Sequence, residues 1–248
     1  MLANDIRTIT VTPSAHGHHA GKHDYSRNPM LVYWEMTQAC ALACRHCRAE
    51  AVNTAHPNEL THAESMDLLQ QIAAFDPKPH LILTGGDPLR RADVYELIDE
   101  ARHLGLNVSI TPSATSELTY EVLEKLKAHG IESLGLSLDG STPERHEATR
   151  GVDGCFDWTI RAAKAAALLD MSVQINTLVS EETADDLPAI YELLKHISAM
   201  RWSLFFLIAV GRGKELQPVT PERGEELMSW VFDLTQVAPF AIATTGTN

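Results

Sequence analysis

The 248-residue chain is 44% hydrophobic and 21% charged, the balance of a globular protein with a full core and not of a disordered one. Its formal net charge of −13 repels phosphate backbones and excludes nucleic acid as a general partner. No apolar run is long enough to span a bilayer, and the opening "MLANDIRTITVT" lacks the basic start and apolar stretch of a secretory signal, so no membrane partner is expected and the cytoplasm is the expected location.

Residues 1–29 are polar, broken by Gly17, Gly21 and Pro29, and carry His16, His18, His19 and His23. They read as a flexible, histidine-rich arm ahead of one folded domain over 30–248. From Met30 a rhythm sets in. "MLVYWEMT" (30–37) is a buried-strand run, and "THAESMDLLQQIAAF" (61–75) a helix with Thr61 as N-cap and Glu64 three residues on. "HLILTGG" (80–86) is a strand ending in glycines; 91–105 is a helix stopped by Gly105. Strand 107–112, helix 119–130 and strand 132–140 follow. The second half repeats the plan: helix 156–170, strand 171–180, helix 183–198, strand 201–210, helix 220–237, and a tail "PFAIATTGTN" that starts like a further strand. Six strand–helix units in strict alternation predict an α/β fold, a partial (β/α)6 TIM-like barrel with a parallel sheet and helices outside. A flat doubly wound sheet is the runner-up, and in either case ligands gather at the C-terminal strand ends.

Three of the four cysteines, Cys40, Cys44 and Cys47, follow the first strand directly, so they sit at that rim. In a reducing compartment such a cluster reads as metal-binding or redox-active. Structural zinc wants four ligands, and His46, squeezed between Arg45 and Cys47, would have to fold back to be the fourth. A dithiol at Cys44 and Cys47 leaves Cys40 idle. A four-iron, four-sulfide cubane held by three thiolates leaves one iron open. Further motifs end the later strands. "LTGGDP" (83–88) lets a ligand approach backbone, with Asp87 and Pro88 placed to start a turn. "LGLSLDG" (134–140) puts Ser137 and Asp139 on one strand face, and "VQINTLVS" (173–180) does the same for Asn176, Gln174 and Leu178. "HEATRGVDGCF" (146–156) offers Arg150 as a bidentate partner for a carboxylate, and its Cys155 reads as a small buried hydrophobe. "LFFLIAVGRGKE" (204–215) reads as an apolar wall followed by a flexible exit.

Taken together, Cys-x3-Cys-x2-Cys after the first strand, the βα repeat and these motifs resemble the radical SAM superfamily over roughly residues 30–237. The nearest likeness is to the SPASM-type branch that modifies haem precursors and peptides, as its catalytic domain without the C-terminal extension that carries auxiliary clusters. The resemblance implies a [4Fe–4S] cluster on Cys40, Cys44 and Cys47 and S-adenosylmethionine (SAM) on the open iron. It implies reductive cleavage to a 5′-deoxyadenosyl radical that takes a hydrogen atom from a tetrapyrrole or peptide substrate. Gly85, Gly86 and Asp87 would then serve the methionine amino group, Ser137 the methionine or ribose, Asn176 the ribose hydroxyls and Arg150 a carboxylate, with His46 against adenine. An electron donor such as flavodoxin or ferredoxin is implied as well. The readings that stand against it are a zinc-binding protein without turnover and a peptide-binding module.

Overall fold

The computed structural model describes residues 24–25 and 27–245; the four histidines of the N-terminal stretch lie outside the described residues. Seven strands run β1 (Leu31–Glu35), β2 (His80–Thr84), β3 (Asn107–Ile110), β4 (Ser133–Ser137), β5 (Ser172–Val179), β6 (Arg201–Phe206) and β7 (Ala241–Thr245). They lie side by side in chain order, every neighbouring pair parallel. Each crossover to the next strand is helical, which curls the sheet into a half-barrel with helices outside. The six expected units are present, and the tail supplies the seventh strand.

The helices are α1 (His62–Ala73), α2 (Val94–His103), α3 (Tyr120–Ala128), α4 (Pro143–Arg150), α5 (Cys155–Leu168), α6 (Leu187–Leu194) and α7 (Pro221–Thr235). Thr61, Thr119, Thr142 and Thr220 cap their helices by accepting a backbone N–H, and Thr61 forms a complete capping box with Glu64. α4 stands where the sequence suggests a loop. "PERHEATR" has almost no apolar periodicity, but Thr142 as cap and Pro143 in the first turn start a helix that Gly151 ends at φ 71°. α6 ends four residues before the sequence predicts, with a 3-10 turn at Ala184–Asp186 leading into it. Among the described residues no helix is long and apolar enough to cross a membrane.

Alternation along the strands sorts the sheet into two faces. Leu81, Leu83, Ile110, Leu134, Leu136, Ile175, Trp202 and Leu204 form the main core with helical residues such as Leu69, Ile98, Leu123 and Ala163. Trp202 is fully buried, and its indole N–H donates to Thr177 Oγ1 at 2.8 Å, whose hydroxyl in turn donates to Leu138 O at 2.7 Å. The other face is concave and of different chemistry. Strand register brings Glu35, Thr84, Ser137, Gln174, Asn176, Arg201 and Ser203 onto it. Leu31 and Tyr33 at the β1 edge and Phe205 on β6 add exposed apolar surface there. The interior of the half-barrel therefore pairs hydrogen-bonding groups, with charged Glu35 and Arg201 toward its margins, with apolar flanks.

Buried Arg91 braces the end of β1. Its guanidinium donates to Met36 O (3.0 Å), Leu60 O (3.2 Å) and Ser65 Oγ (3.2 Å) and pairs with Asp93. Both ends of the loop that carries the cysteines are thereby tied to α1.

Candidate metal and cofactor site

The segment between β1 and α1 doubles back on itself. Cys40 N–H donates to Val52 O at 2.7 Å, and Ala39 bridges Val52. The turn after β2 lies directly across this loop: Gly86 N–H donates to Thr37 O and Asp87 N–H to Ala39 O, both at 2.7 Å. Glycine is required at both crossing points. A Cβ on Gly85, held at φ +137°, would meet Thr37 O at 2.5 Å, and one on Gly86 would meet Ala39 O at 2.4 Å. The glycine pair thus seats the cysteine loop as well as opening backbone to the cavity. Gly86→Ala is expected to cost about 1–3 kcal/mol by overpacking backbone against backbone. Urea denaturation would show it as a lower midpoint at unchanged slope.

At this rim lies a cavity of about 260 Å³. Cys40, Cys44 and Cys47 line it together, with His46 beside them. Gly85, Gly86, Ser137 and Arg150 line it from the other strands. Among the described residues no three His, Cys, Asp or Glu side chains converge closely enough to hold one metal ion. Ligands of a single tetrahedral zinc, at about 2.3 Å from the metal, would have to converge in that way. Three thiols around one shared cavity suit a cluster in which each binds a different metal atom.

Burial dominates the electrostatics. The Cys40 thiol is pushed up by burial, against the opposing contact with Ser113 Oγ at 3.2 Å. Burial, aided by the Arg150 charge, lowers His46 to about 4, so its ring is neutral at pH 7, and its Nδ1 is buried with no hydrogen-bond partner among the described residues. Arg150 donates to Cys44 Sγ at 3.5 Å and pairs with Asp139 at 2.5 Å. Burial by itself would raise the Asp139 carboxyl; Arg150, His46 and His146 outweigh it and hold the carboxyl below the ordinary value. Leu178 N–H also donates to this carboxylate at 2.7 Å. His146 is likewise lowered to about 4 by burial, and its Nδ1 accepts the Asp139 N–H at 3.0 Å.

Two of the expected site residues do not line the cavity. Asp87 is buried and turned into its own loop: Oδ1 accepts from Leu89 N–H at 3.2 Å and from Ser113 N–H at 3.3 Å, and burial pushes its carboxyl up to about 6. Its side chain is the cap expected of it, and its contribution to the rim is backbone. Asn176 sits beside Ser137 in register, where its Oδ1 accepts from Gln174 Nε2 at 2.8 Å.

Other groups at the cavity escape sequence reasoning. Ser113, after β3, reaches both Cys40 Sγ and Gly86 O. Cys155 is a small buried hydrophobe as expected, yet it packs with Cys40, Cys44 and Ala51 on the cavity wall, its thiol pushed up to about 12 by burial and by Glu147. The run Gly211–Glu215 is no flexible exit. It forms a 3-10 turn seated on the cysteine loop, with Arg212 Nε donating to Cys44 O and Nη1 to Ala51 O, both at 2.9 Å. Two glycines flanking one arginine were the only signal for it.

A sequence model described as the radical SAM superfamily matches residues 34–194. The chain is 35% identical over 217 residues to the AdoMet-dependent heme synthase of Methanosarcina barkeri (strain Fusaro / DSM 804), covering 88% of this chain and 62% of that protein. It is 30% identical over 210 residues to the mycofactocin maturase of Mycolicibacterium smegmatis, covering 82% of this chain and 52% of that one. It therefore spans about half to three-fifths of the length of these relatives. Among solved structures, Streptococcus suis SuiB bound to S-adenosylmethionine superposes with a TM-score of 0.76 at 20% identity, over 90% of this chain and 52% of that one, a likeness of fold. With the family model covering well over half of the residues and the three cysteines gathered at one strand-end cavity, the chain belongs to the radical SAM superfamily.

Proposed function

We propose that this chain is the catalytic domain of a radical SAM enzyme acting on a tetrapyrrole, a haem precursor, in the cytoplasm. Cys40, Cys44 and Cys47 would hold a [4Fe–4S] cluster, and Gly85, Gly86, Ser137 and His46, which line the same cavity, would bind SAM. When bound, the pair supplies a 5′-deoxyadenosyl radical by one-electron reductive cleavage, and a flavodoxin or ferredoxin supplies the electron. The observation that carries the reading is the gathering of three thiols, two glycines and Ser137 around one strand-end cavity.

The chain's own groups bind and orient. Ser137 Oγ offers a donor or acceptor on the concave face. The neutral His46 ring lines the cavity and presents a flat surface for adenine. Arg150 Nε is buried with no hydrogen-bond partner among the described residues, so a carboxylate that reached it would not break the Asp139 pair. Asp87 and Asn176 act at one remove, Asp87 by shaping the glycine turn and Asn176 by standing next to Ser137. The interior of the curled sheet, polar at the centre with Leu31, Tyr33 and Phe205 at the flanks, suits a flat molecule with an apolar body and polar edge.

The test is anaerobic reconstitution with iron and sulfide, then SAM and dithionite. The expected products are a brown protein absorbing near ~400 nm, as thiolate-bound iron–sulfur clusters do, and 5′-deoxyadenosine. A colourless zinc-loaded protein that leaves SAM intact sinks the proposal. The motif likeness to the branch that modifies peptides, with a maturase among the relatives, favours a peptide as second reading. Stimulation of 5′-deoxyadenosine formation by a peptide and not by an iron porphyrin bearing propionates selects it.

A further inference from the structure

We propose that Arg212 is a positioning residue for the iron–sulfur cluster: it clamps the cysteine loop from behind β6 and holds an uncancelled positive charge at the cavity, which favours the reduced cluster. The inference rests on the cluster reading above. The clamp has three points. Nε and Nη1 donate to the carbonyls of Cys44 and Ala51, on either side of Cys47, and the Arg212 backbone N–H donates to Cys47 O at 3.1 Å. The approach is close enough to require glycine before it: a Cβ on Gly211, at φ +54°, would meet Arg48 O at 2.5 Å and Cys47 O at 2.6 Å.

The charge follows from a comparison of two arginines. Arg150 touches Cys44 Sγ, but its charge is cancelled by buried Asp139. Arg212 lines the same cavity and has no carboxylate within ion-pair distance among the described residues. Its Nη2 is buried with no hydrogen-bond partner among the described residues, in a guanidinium that lines the same cavity as the thiols. Three thiolates make the cluster site anionic and one added electron makes it more so; a fixed cation nearby stabilises that state.

Redox titration of reconstituted protein without SAM, followed by electron paramagnetic resonance, tests this. At the potential that half-reduces the wild-type cluster, Arg212→Met is expected to lower the reduced-to-oxidised ratio about tenfold, equivalent to about 59 mV for one electron. Arg212→Lys keeps the charge and loses the fork, so its ratio should stay within about threefold of wild type. Arg212→Lys should also release iron faster to a ferrous chelator such as bathophenanthroline disulfonate. Arg212→Gln serves as the neutral variant should Arg212→Met fail to fold by circular dichroism. A neutral variant that titrates like wild type refutes the charge role, as does a lysine variant shifted as far as the neutral ones. Unchanged iron release in Arg212→Lys refutes the clamp. Wild type that takes up no iron removes the cluster reading itself, an outcome distinct from all of these.

Discussion

Cys44→Ala is expected to leave the chain folded and to abolish cluster assembly, and with it all reductive cleavage of SAM. The two halves of this outcome have separate physical grounds. Cys44 belongs to a small satellite cluster with Cys40, Leu42, Ala51 and Cys155, apart from the main core between sheet and helices. Removing one sulfur there and its contact with Arg150 should cost about 1–2 kcal/mol, an ordinary loss for a single truncation. Thermal unfolding would fall by a few degrees while the far-ultraviolet circular dichroism stayed native. On the proposed ligation the metal, in contrast, would lose one of three protein ligands. Iron content after reconstitution and the absorbance near ~400 nm read out that loss directly. A Cys44→Ala protein that still makes 5′-deoxyadenosine shows that the ligands have been wrongly assigned.

Arg150→Met is expected to destabilise the fold itself, by about 3–5 kcal/mol at neutral pH, because it strands a buried carboxylate. Asp139 is 2% exposed, and Arg150 is its charge partner. The loss should depend on pH in a definite direction. With Arg150 present the Asp139 carboxyl is held low, so the pair stabilises the fold above the carboxyl's unfolded value and that contribution fades as pH falls through the folded one. Without Arg150, burial drives the same carboxyl upward, although His46, His146 and the Leu178 N–H still face it. Asp139 then takes up a proton on folding, and the penalty shrinks as the solution is acidified. The difference between wild type and variant in urea should accordingly be larger at pH 7.5 than at pH 5, two conditions chosen to bracket this change. Asp139→Asn combined with Arg150→Met should recover part of the loss at neutral pH, since neither charge is then left alone. Equal losses at both pH values, or no recovery in the double variant, would mean that the pair is not what holds this corner together.

Much of the fold was legible because it is periodic. Alternating apolar runs and capped helical stretches announce a parallel sheet, and the Cys-x3-Cys-x2-Cys spacing announces its chemistry. α4 was hidden because its signal lies in Thr142 and Pro143 and not in apolar spacing. The site was legible only where a motif is contiguous. Cys40, Cys44, Cys47, Gly85 and Gly86 are named by their own short stretches. Ser113 and Arg212 reach the cysteines from 73 and 168 residues away, by contacts that no local pattern encodes. Asp139 and Arg150 stood out individually, but their pairing gives each a duty to the other that sequence spacing alone does not reveal. Asp87 likewise reads as a cap and a ligand-side acid at once, and burial and two N–H donors hold it as the cap.

The strict succession of strands, each joining only the one made before it, has a consequence for biogenesis. Synthesis proceeds from the N-terminus, so β1 and the thiols leave the ribosome with the first unit, long before the segment after β6 emerges. The backbone carbonyls of Cys44 and Ala51 have to wait for residue 212 before they find their donors. Over the 168 residues that separate Cys44 from its donor, the nascent thiols are exposed to oxidants and stray metals, so the inorganic centre is best delivered late, to a chain whose sixth strand is already in place.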